Sequence, residues 1–368
     1  MKRVAVIGTQ GVPANYGGFE TLVENIIGEY RSENVEYTVF CSSKDMPQRM
    51  QQHKGAKLKY IPLRANGAQS IIYDIVAMLR SITGYDTILI LGVSGCIFLP
   101  ILRLLSRARI IVNIDGLEHR RNKWTSHIRK FLLLSEVIAV KTAHTIIADN
   151  KGIADYVMWR YKKEAKLITY GGDHCLEPVS LEKQDEILKR YNLQKGSYAM
   201  SVCRIEPENN CHIALDAFSK SNKQLIFIGN WKKNEYSRRL KEQYKGCKNI
   251  TLLDSIYDLE ILYTLRANAE MYIHGHSAGG TNPSLVEAMF FGRPILAYNV
   301  VYNCETTHHK AYYWNDSNEL QSLIEKKGLD GEATKKIAEQ HYTWEKITKE
   351  YEELHFPSMA LPVVIRLS

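Results

Sequence analysis

The chain has 368 residues, of which 45% are hydrophobic and 24% are charged. At roughly 150 residues per domain this length predicts two domains, and the composition excludes wholesale disorder, a collagenous repeat and a polytopic membrane protein. The net charge of +8 is uneven, because residues 1–170 hold 24 Lys and Arg against 14 Asp and Glu, and residues 171–368 hold 24 against 26. The basic half suits an anionic partner, such as a phosphate-rich membrane surface, a nucleic acid or a phosphorylated substrate.

The N-terminal half alternates short β-branched runs with amphipathic stretches, which is typical of βαβ units in a parallel sheet. Strands are predicted at residues 3–8, 35–40, 57–61, 86–91, 109–114, 144–148 and 165–170. The first of these has too short an apolar stretch for a signal peptide. The longest uncharged run, residues 87–102, is shorter than the roughly 20 residues of a spanning helix and predicts a strand, a turn and a helix.

The same alternation resumes after a weaker stretch at residues 171–179 and a polar helix over 181–191. Strands are predicted at 198–203, 224–229, 249–253, 270–275, 293–298 and 310–314, and three mostly polar helices follow. We therefore predict an α/β fold of two Rossmann-like, doubly wound parallel-sheet domains, at 1–175 and 195–340, that face each other across a cleft. Seven scattered cysteines without a CxxC pair favour a reducing cytosol over a disulfide framework or a zinc site.

The first segment with chemical interest is GTQGVPANYGGFE, residues 8–20, which follows the first strand. Its glycines, including Gly17 and Gly18, allow close approach of a ligand, and the helix that begins there favours an anion. The G-x-x-G spacing, and the absence of an acid after the second strand, argue against a dinucleotide fingerprint. The loop therefore either contacts a sugar or phosphate or is a turn suited only to packing.

The second segment is VCRIEPENNCHIALDAF, residues 202–218, where a strand ends and a helix follows. Arg204 lies at the carboxyl end of the strand, where open α/β sheets bind ligands, and its guanidinium suits a diphosphate. A surface ion pair is the alternative for this arginine. Asn209 or Asn210 is predicted to cap the helix.

The third segment, HGHSAGGTNPSLVEAMFFGRPIL at 274–296, is the most informative. Asn282 as N-cap and Pro283 at the first helical position strongly predict a helix start. The backbone N–H groups of residues 280–284 are expected to converge and form an anion hole for phosphate. Glu287, about one turn further on, could accept hydrogen bonds from ribose hydroxyls, unless this is a capped core helix with a surface glutamate.

Together these motifs resemble a known family. The pattern R-x-x-P-E-x-N followed by G-G-T-N-P-S-L-x-E-A-M-x-x-G-x-P resembles the donor domain of retaining, family 4 type nucleotide-sugar glycosyltransferases of the GT-B fold. The segments G-x-P-A-x-Y-G-G-F-E-T and D-G-L-E-x-x-R-x-K-W resemble the rhamnosyltransferase-like branch of bacterial polysaccharide assembly. The resemblance runs from residue 1 to about residue 355 and implies a C-terminal domain that binds the donor and an N-terminal domain that binds the acceptor.

The resemblance also implies roles for single residues. Arg204 would hold the donor diphosphate, and Asn209 stands where such enzymes have a lysine. Glu287 matches the second of two glutamates, and Gly279 stands where the first would contact the donor sugar, which is consistent with a deoxysugar donor. The other expected donor-binding residues are Gly17, Gly18, Gly280, Thr281, Asn282 and Ser284.

Candidate catalytic residues lie mainly in NIDGLEHRRNKW, residues 113–124, which contains Asp115 and His119. His119 matches a sugar-contacting histidine of the wider superfamily, or is an ordinary loop histidine. Arg120, Arg121 and Lys123 are predicted to form a cationic cluster there.

Two further candidates follow predicted strands. Asp149 and Tyr170 could orient or deprotonate the acceptor hydroxyl. The alternative for Asp149 is to cap the next helix.

We predict a hexosyltransferase that moves a sugar, with L-rhamnose from dTDP-rhamnose as first choice, to a saccharide on undecaprenyl diphosphate. It would act in capsule or O-antigen assembly as a peripheral protein on the cytoplasmic face of the bacterial membrane, whose anionic surface attracts the basic half. The helix at 343–355 is expected to pack back on the N-terminal domain. Retention of configuration is implied by the resemblance alone.

No cofactor and no metal are expected, because the sequence has neither a D-x-D pair nor a His, Cys and acid cluster with ligand spacing. A nucleotide-sugar epimerase of similar fold remains an alternative. A basic nucleic-acid-binding protein is a weaker one, since the cations are not interleaved with aromatic residues.

Overall fold

A computed structural model describes residues 1–14, 17–46, 48–67, 69–121 and 124–356. Its first sheet has eight strands in the order β3-β4-β2-β1-β5-β6-β7-β8. Strand β3 is antiparallel to β4, and the registers from β4 across to β7 are parallel. The strands are β1 Lys2–Ile7, β2 Val35–Ser42, β3 Gln52–His53, β4 Ala56–Ile61, β5 Thr87–Leu91, β6 Arg109–Asn113, β7 Thr145–Ala148 and β8 Lys166–Leu167.

Helices alternate with these strands as the periodicity predicts. They are α1 Gly18–Ile26, α2 Gln69–Arg80, α3 Leu99–Leu105, α4 Ser126–Thr142 and α5 Lys151–Tyr161. The uncharged run at 87–102 forms a strand, a turn and the start of a helix, as expected. Within the described part of the chain, none of the helices combines the length and the apolar character needed to cross a membrane.

The second sheet has six strands in the order β11-β10-β9-β12-β13-β14, all parallel. The strands are β9 Tyr198–Val202, β10 Gln224–Ile228, β11 Ile250–Leu253, β12 Met271–His274, β13 Ile295–Tyr298 and β14 Tyr312–Trp314. The helices are α6 Leu181–Arg190, α7 Cys211–Ser219, α8 Glu235–Tyr244, α9 Leu259–Ala267, α10 Pro283–Met289, α11 Val301–Thr306, α12 Ser317–Ile324, α13 Glu332–His341 and α14 Trp344–Glu353.

Both faces of the second sheet are covered by apolar side chains. In β10, Leu225 and Phe227 belong to one buried cluster, whereas Ile226 and Ile228 belong to another. Successive side chains of a strand point to opposite faces, so each face has its own hydrophobic core. The predicted fold class, with two doubly wound parallel-sheet domains, is confirmed.

Contacts between Cα atoms divide the chain into two compact units. The first comprises Met1–Ile114, Ser126–Ile147 and the chain from Ile347 onward, and the second comprises Asp115–Thr125 and Ala148–Lys346. The segment after β6 that holds Asp115 and His119 is therefore part of the second unit. The domain bounds at 1–175 and 195–340 stay a prediction.

The strand order of each sheet reverses between two central strands, β1 and β5 in the first and β9 and β12 in the second. In open parallel sheets, ligands bind outside the carboxyl ends of the strands at this reversal point. In the second sheet Met271 pairs with Ala199 and Tyr272 with Met200. The segments that follow β9 and β12 therefore start from the same edge of that sheet.

Candidate active site

Arg204 follows β9 at the reversal point of the second sheet. It is half-buried, and across residues 1–14, 17–46, 48–67, 69–121 and 124–356 no carboxylate lies within ion-pair distance of its guanidinium. The charge of Arg204 is nevertheless felt nearby, because it acts with Lys233 and Arg121 to lower the pKa of Glu206 against the opposing effect of burial. The alternative of a surface ion pair for Arg204 is therefore wrong.

Two asparagines connect the segment after β9 to the segment after β12. Asn209 is buried, its amide donates to the carbonyl of Arg204 at 2.5 Å, and its Oδ1 is bonded to Nδ1 of His276. Asn210 precedes α7 in a left-handed conformation and donates to the carbonyl of Gly275 at 2.9 Å. The expected side-chain cap of α7 is therefore wrong: Asn210 stands at the N-cap position in a left-handed conformation, and its side chain accepts no N–H of the helix.

Asp149 meets the loop between β12 and α10. Thr281 donates its backbone N–H to Oδ2 of Asp149 at 3.2 Å and its hydroxyl to the backbone carbonyl of the same residue. A Cβ on Gly280 would lie 1.9 Å from Oδ1 of Asp149, so no larger residue fits there without a shift. A Cβ on Gly116 would lie 2.4 Å from the Cα of Gly279, so the segment containing Asp115 packs on the same loop.

The expected anion hole at residues 280–284 is only partly present. Asn282 caps α10 and Pro283 starts it, as predicted. The N–H of Thr281, however, is donated to Asp149, that of Ser284 is donated to Oδ1 of Asn282 at 3.0 Å, and proline has none. The prediction that all these groups converge on one free point is wrong, because the chain supplies acceptors for two of them.

Two carboxyl groups near this loop have raised pKa values. Burial raises the pKa of Asp149 well above its usual range, and the neighbouring charge of Asp115 raises it further. Burial, helped by the charge of Glu118, raises the pKa of Asp115 to about 6. Oδ1 of Asp149 is buried without a hydrogen-bond partner among the described residues. The raised pKa favours the protonated form of Asp149, and its Oδ1 is not used by the described residues.

Asp149 is not the cap of the following helix, which was its alternative role. Asn150 caps α5 by accepting the N–H of Gly152 at 2.9 Å. The Asn150 amide also donates to the Tyr302 carbonyl at 3.1 Å and to the Thr306 hydroxyl at 3.2 Å. This leaves the Asp149 carboxyl directed to the loop before α10.

The predicted cationic cluster after β6 is largely neutralised. Arg121 is bonded to Glu118 and Glu208 and lies 4.0 Å from Glu206. Arg120 lies over the ring of Tyr156, 4.7 Å from its centroid. Lys123 lies outside the described residues. Arg120 and Arg121 therefore do not form a free cationic pair, since Arg121 is surrounded by carboxylates.

His119 and Tyr170 are the other catalytic candidates. The His119 ring lies 6.1 Å from the ring of Tyr156, in a short 3₁₀ turn over Glu118–Arg120. Tyr170 is 4% exposed and precedes Gly171 and Gly172, the latter donating to the carbonyl of Tyr342 at 2.8 Å. Both residues belong to the second unit, and their roles stay predictions.

Glu287 has protein partners that the sequence does not reveal. Its Oε2 is paired with the buried Arg266, and its Oε1 lies 3.5 Å from Nε2 of His174. Trp344 donates its indole N–H to Nδ1 of His174 at 2.9 Å, so the imidazole proton is on the nitrogen that faces Glu287. The alternative of a surface glutamate is wrong. If Glu287 contacts a ribose hydroxyl, it would do so through Oε1, the oxygen that lies near His174.

The first glycine-rich loop is satisfied by its own glutamate. Oε1 of Glu20 accepts from the hydroxyl of Thr9 at 2.9 Å and from the N–H of Gln10 at 2.8 Å. Gly17 precedes α1 at φ +124°, and Oε2 of Glu20 lies 1.9 Å from where its Cβ would be. Gly18 begins the helix. The place expected for an anion at the start of α1 is therefore taken by the carboxyl group of Glu20.

Comparisons with protein families divide the chain into two parts. Residues 1–173 match the family model described as "Domain of unknown function (DUF1972)", and residues 183–344 match "Glycosyl transferases group 1". The second match spans Arg204, the loop before α10 and Glu287. No curated protein matches the chain significantly.

Several solved structures share the fold over nearly the whole chain. Sucrose-phosphate synthase from Thermosynechococcus elongatus gives a TM-score of 0.79 at 16% identity, over 96% of this chain and 98% of that one. HepE from Anabaena, in complex with UDP, gives 0.76 at 17%, over 96% and 99%. A glycosyltransferase from Rickettsia africae gives 0.68 at 12%, over 96% and 97%. The fold is thus the GT-B fold implied by the sequence resemblance.

Proposed function

We propose that this protein, whose GT-B fold and match to group 1 glycosyl transferases mark it as a glycosyltransferase, transfers a deoxyhexose from a nucleotide-sugar. The donor of first choice is dTDP-L-rhamnose. The acceptor is a saccharide on undecaprenyl diphosphate at the cytoplasmic face of the membrane, in capsule or O-antigen assembly. The transfer retains configuration and uses no metal ion or other cofactor.

The observation that carries the proposal is the state of Arg204. It is a half-buried arginine at the reversal point of a parallel sheet, and it has no carboxylate partner within the described ranges, while Arg121 close by takes Glu118 and Glu208. A partly desolvated cation without a counter-ion favours an anionic ligand. If the donor diphosphate binds there, Arg204 would stabilise the negative charge that develops on the diphosphate as it leaves.

The loop before α10 would place the donor sugar beside Asp149. In the reaction the bond from the anomeric carbon to the diphosphate oxygen breaks, a bond to the acceptor oxygen forms, and the proton of the acceptor hydroxyl passes to the departing diphosphate oxygen. Asp149, whose carboxyl accepts the N–H of Thr281, would position this loop against the sugar. Glu287 would contact the ribose through Oε1, because Oε2 is held by Arg266.

The N-terminal half would bind the acceptor. Residues 1–170 hold 24 basic against 14 acidic residues, and a diphosphate-linked lipid in an anionic leaflet is attracted by such a surface. The neighbouring HepE structures contain UDP and UDP-glucose. They support a nucleotide-sugar donor and leave the base and sugar of this protein to experiment.

The test is a thermal-shift panel of dTDP-, UDP- and GDP-sugars against the wild type and Arg204→Gln. We expect one nucleotide-sugar to stabilise the wild type, and its Kd to rise about 10- to 100-fold in Arg204→Gln, because a charge-assisted contact is lost. The matched control is Arg190→Gln, an exposed arginine in α6 paired with Glu186 at 3.5 Å, which should bind the donor like the wild type.

Turnover separates transferase from epimerase. With a saccharide on undecaprenyl diphosphate, labelled sugar should move into the lipid fraction. Release of an isomeric sugar nucleotide without acceptor would instead identify an epimerase. Equal donor binding by the wild type and Arg204→Gln would show that the donor site is misassigned.

A further inference from the structure

Three helices of the first unit expose large apolar side chains to solvent. Leu104 is 85% exposed, Leu105 54% and Ile101 51%. The complete set on α2, α3 and α4 is Ile72, Leu79, Ile101, Leu104, Leu105, Ile128 and Leu134. Scattered apolar residues are ordinary on protein surfaces, but contiguous ones mark an interaction site.

Helix α3 is apolar on two opposite faces. Leu99 and Leu102 are buried against the sheet, as expected for a covering helix. Ile101, Leu104 and Leu105 follow the i, i+3, i+4 spacing and share the other face. That outer face has no role in packing the first unit.

The three helices are connected through the 3₁₀ turn at residues 96–98. Helix α2 contacts the 3₁₀ turn Cys96–Phe98, and both this turn and α3 contact α4. Arg103 also connects α3 to the end of α4 by donating to the carbonyl of Thr142. We call the exposed side of α2, α3 and α4 the α2–α4 face.

The charge of the α2–α4 face has one sign. Every residue of the three helices is described, and their two acids, Asp74 and Glu136, are 3% and 2% exposed. The exposed charged side chains are Arg80, Arg103, Arg129, Lys130 and Lys141. The face therefore combines leucines and isoleucines with cations and presents no carboxylate.

We propose that the α2–α4 face docks on an anionic phospholipid bilayer. The apolar side chains enter the boundary between headgroups and acyl chains, and the cations meet lipid phosphates. A nucleic acid would pair with the cations but leave the leucines in water. The inference rests on the proposed function in one respect, namely that a membrane carries the acceptor. The α2–α4 face itself is a feature of the folded first unit.

The test is co-sedimentation of the full chain with vesicles of phosphatidylcholine containing about 30 mol% phosphatidylglycerol, and with pure phosphatidylcholine. We expect the wild type to bind the anionic vesicles, and Leu104→Glu to bind them about tenfold or more weakly. The matched control is Leu181→Glu, which adds the same charge at a leucine of the second unit that is 73% exposed, and it should bind like the wild type.

A second pair of variants tests the charge. Lys130→Glu/Lys141→Glu should weaken binding to anionic vesicles, and Lys326→Glu/Lys327→Glu, in the second unit, should not. Binding by the wild type should also fall at about 0.5 M NaCl, where surface charges are screened.

Equal vesicle binding by Leu104→Glu and the wild type, or equal binding to both vesicle types, would overturn the proposal. A dimeric wild type that becomes monomeric in Leu104→Glu would also overturn it, because a second copy would then cover the face. The nucleotide-sugar thermal shift is measured on the same samples. If the wild type binds vesicles but no nucleotide-sugar, the proposed function fails and the membrane face stands.

Discussion

Two regions of the molecule have the same local design. In the first sheet, residues 8–17 lead from β1 into α1, which carries Glu20 as its third residue. In the second sheet, residues 275–282 lead from β12 into α10, which carries Glu287 as its fifth. Each loop is rich in glycine and follows a central strand at a reversal of strand order.

The two glutamates point to different partners. Glu20 turns back onto its own loop and accepts from Thr9 and Gln10. Glu287 is paired with Arg266, 21 residues away in the sequence, and its loop is met by Asp149. The first loop is therefore held by its own glutamate, whereas the second lies beside the buried Oδ1 of Asp149, which has no hydrogen-bond partner among the described residues. Arg204 forms no ion pair within the described ranges, although its charge lowers the pKa of Glu206.

The largest effect is expected for Glu287→Gln. It would remove the charged partner of Arg266, whose side chain is 4% exposed, and leaving a buried charge unpaired costs about 3–5 kcal/mol. Urea unfolding measures the loss. Glu186→Gln is the control, because its pairs with Lys183 and Arg190 are exposed and such pairs contribute about 0–1 kcal/mol. A loss for Glu287→Gln no larger than that of the control would show that Arg266 is satisfied elsewhere.

A smaller effect is expected for Gly17→Ala in the first loop. The backbone there has φ +124°, and the new Cβ would collide with Oε2 of Glu20. Strain of this kind, together with displacement of the carboxylate, costs about 2–4 kcal/mol. Gly246→Ala is the control, because its Cβ meets nothing within 4 Å. Its melting temperature in thermal unfolding should be close to that of the wild type. If both variants unfold alike, the first loop does not depend on Glu20.

The last prediction has the opposite sign and depends on pH. A carboxyl whose pKa is raised in the folded chain stabilises folding at low pH, and that stability is lost as the pH rises from the unfolded pKa to the folded pKa. Burial raises the pKa of Asp149 in this way. Asp149→Asn, which keeps an acceptor for Thr281, should therefore gain stability relative to the wild type as the pH rises above the unfolded pKa of about 4, until the folded pKa is passed.

Urea unfolding between about pH 4 and pH 8 measures this gain. The comparison variant is Glu20→Gln, since burial also raises the pKa of Glu20 while the hydrogen bonds from Gln10 and Thr9 oppose the rise. Its gain should have the same sign and be smaller than that of Asp149→Asn. Parallel pH profiles for Asp149→Asn and the wild type would show that this carboxyl is ionised and solvated.

Much of the fold could be predicted from the sequence. Every predicted strand is present, although the one expected at 165–170 is reduced to Lys166–Leu167. The strand that was missed, Gln52–His53, is polar and only two residues long. Apolar periodicity predicts long elements well because burial imposes it along the whole element, and it carries no signal for a pair of polar residues.

The candidate site was predicted less completely. The sequence identified Arg204, the loop before α10 and Glu287, because strand ends and helix caps are local signals. It did not identify Arg266 and His174, which contact Glu287, or Trp344, which contacts His174. All three are distant from Glu287 in the sequence. No spacing rule relates residues whose side chains meet only after separate elements have packed.

The sequence by itself determined where the strands and helices run, where Asn282 caps a helix and Pro283 begins it, and which segments follow the central strands. These depend on periodicities and backbone preferences that act over a few neighbouring residues. Only the tertiary structure decided that Arg121 is paired with carboxylates while Arg204 is not, and that burial raises the pKa of Asp149. The reason is that burial and charge act through space, so the state of an ionisable group is set by neighbours that the chain brings together from far apart.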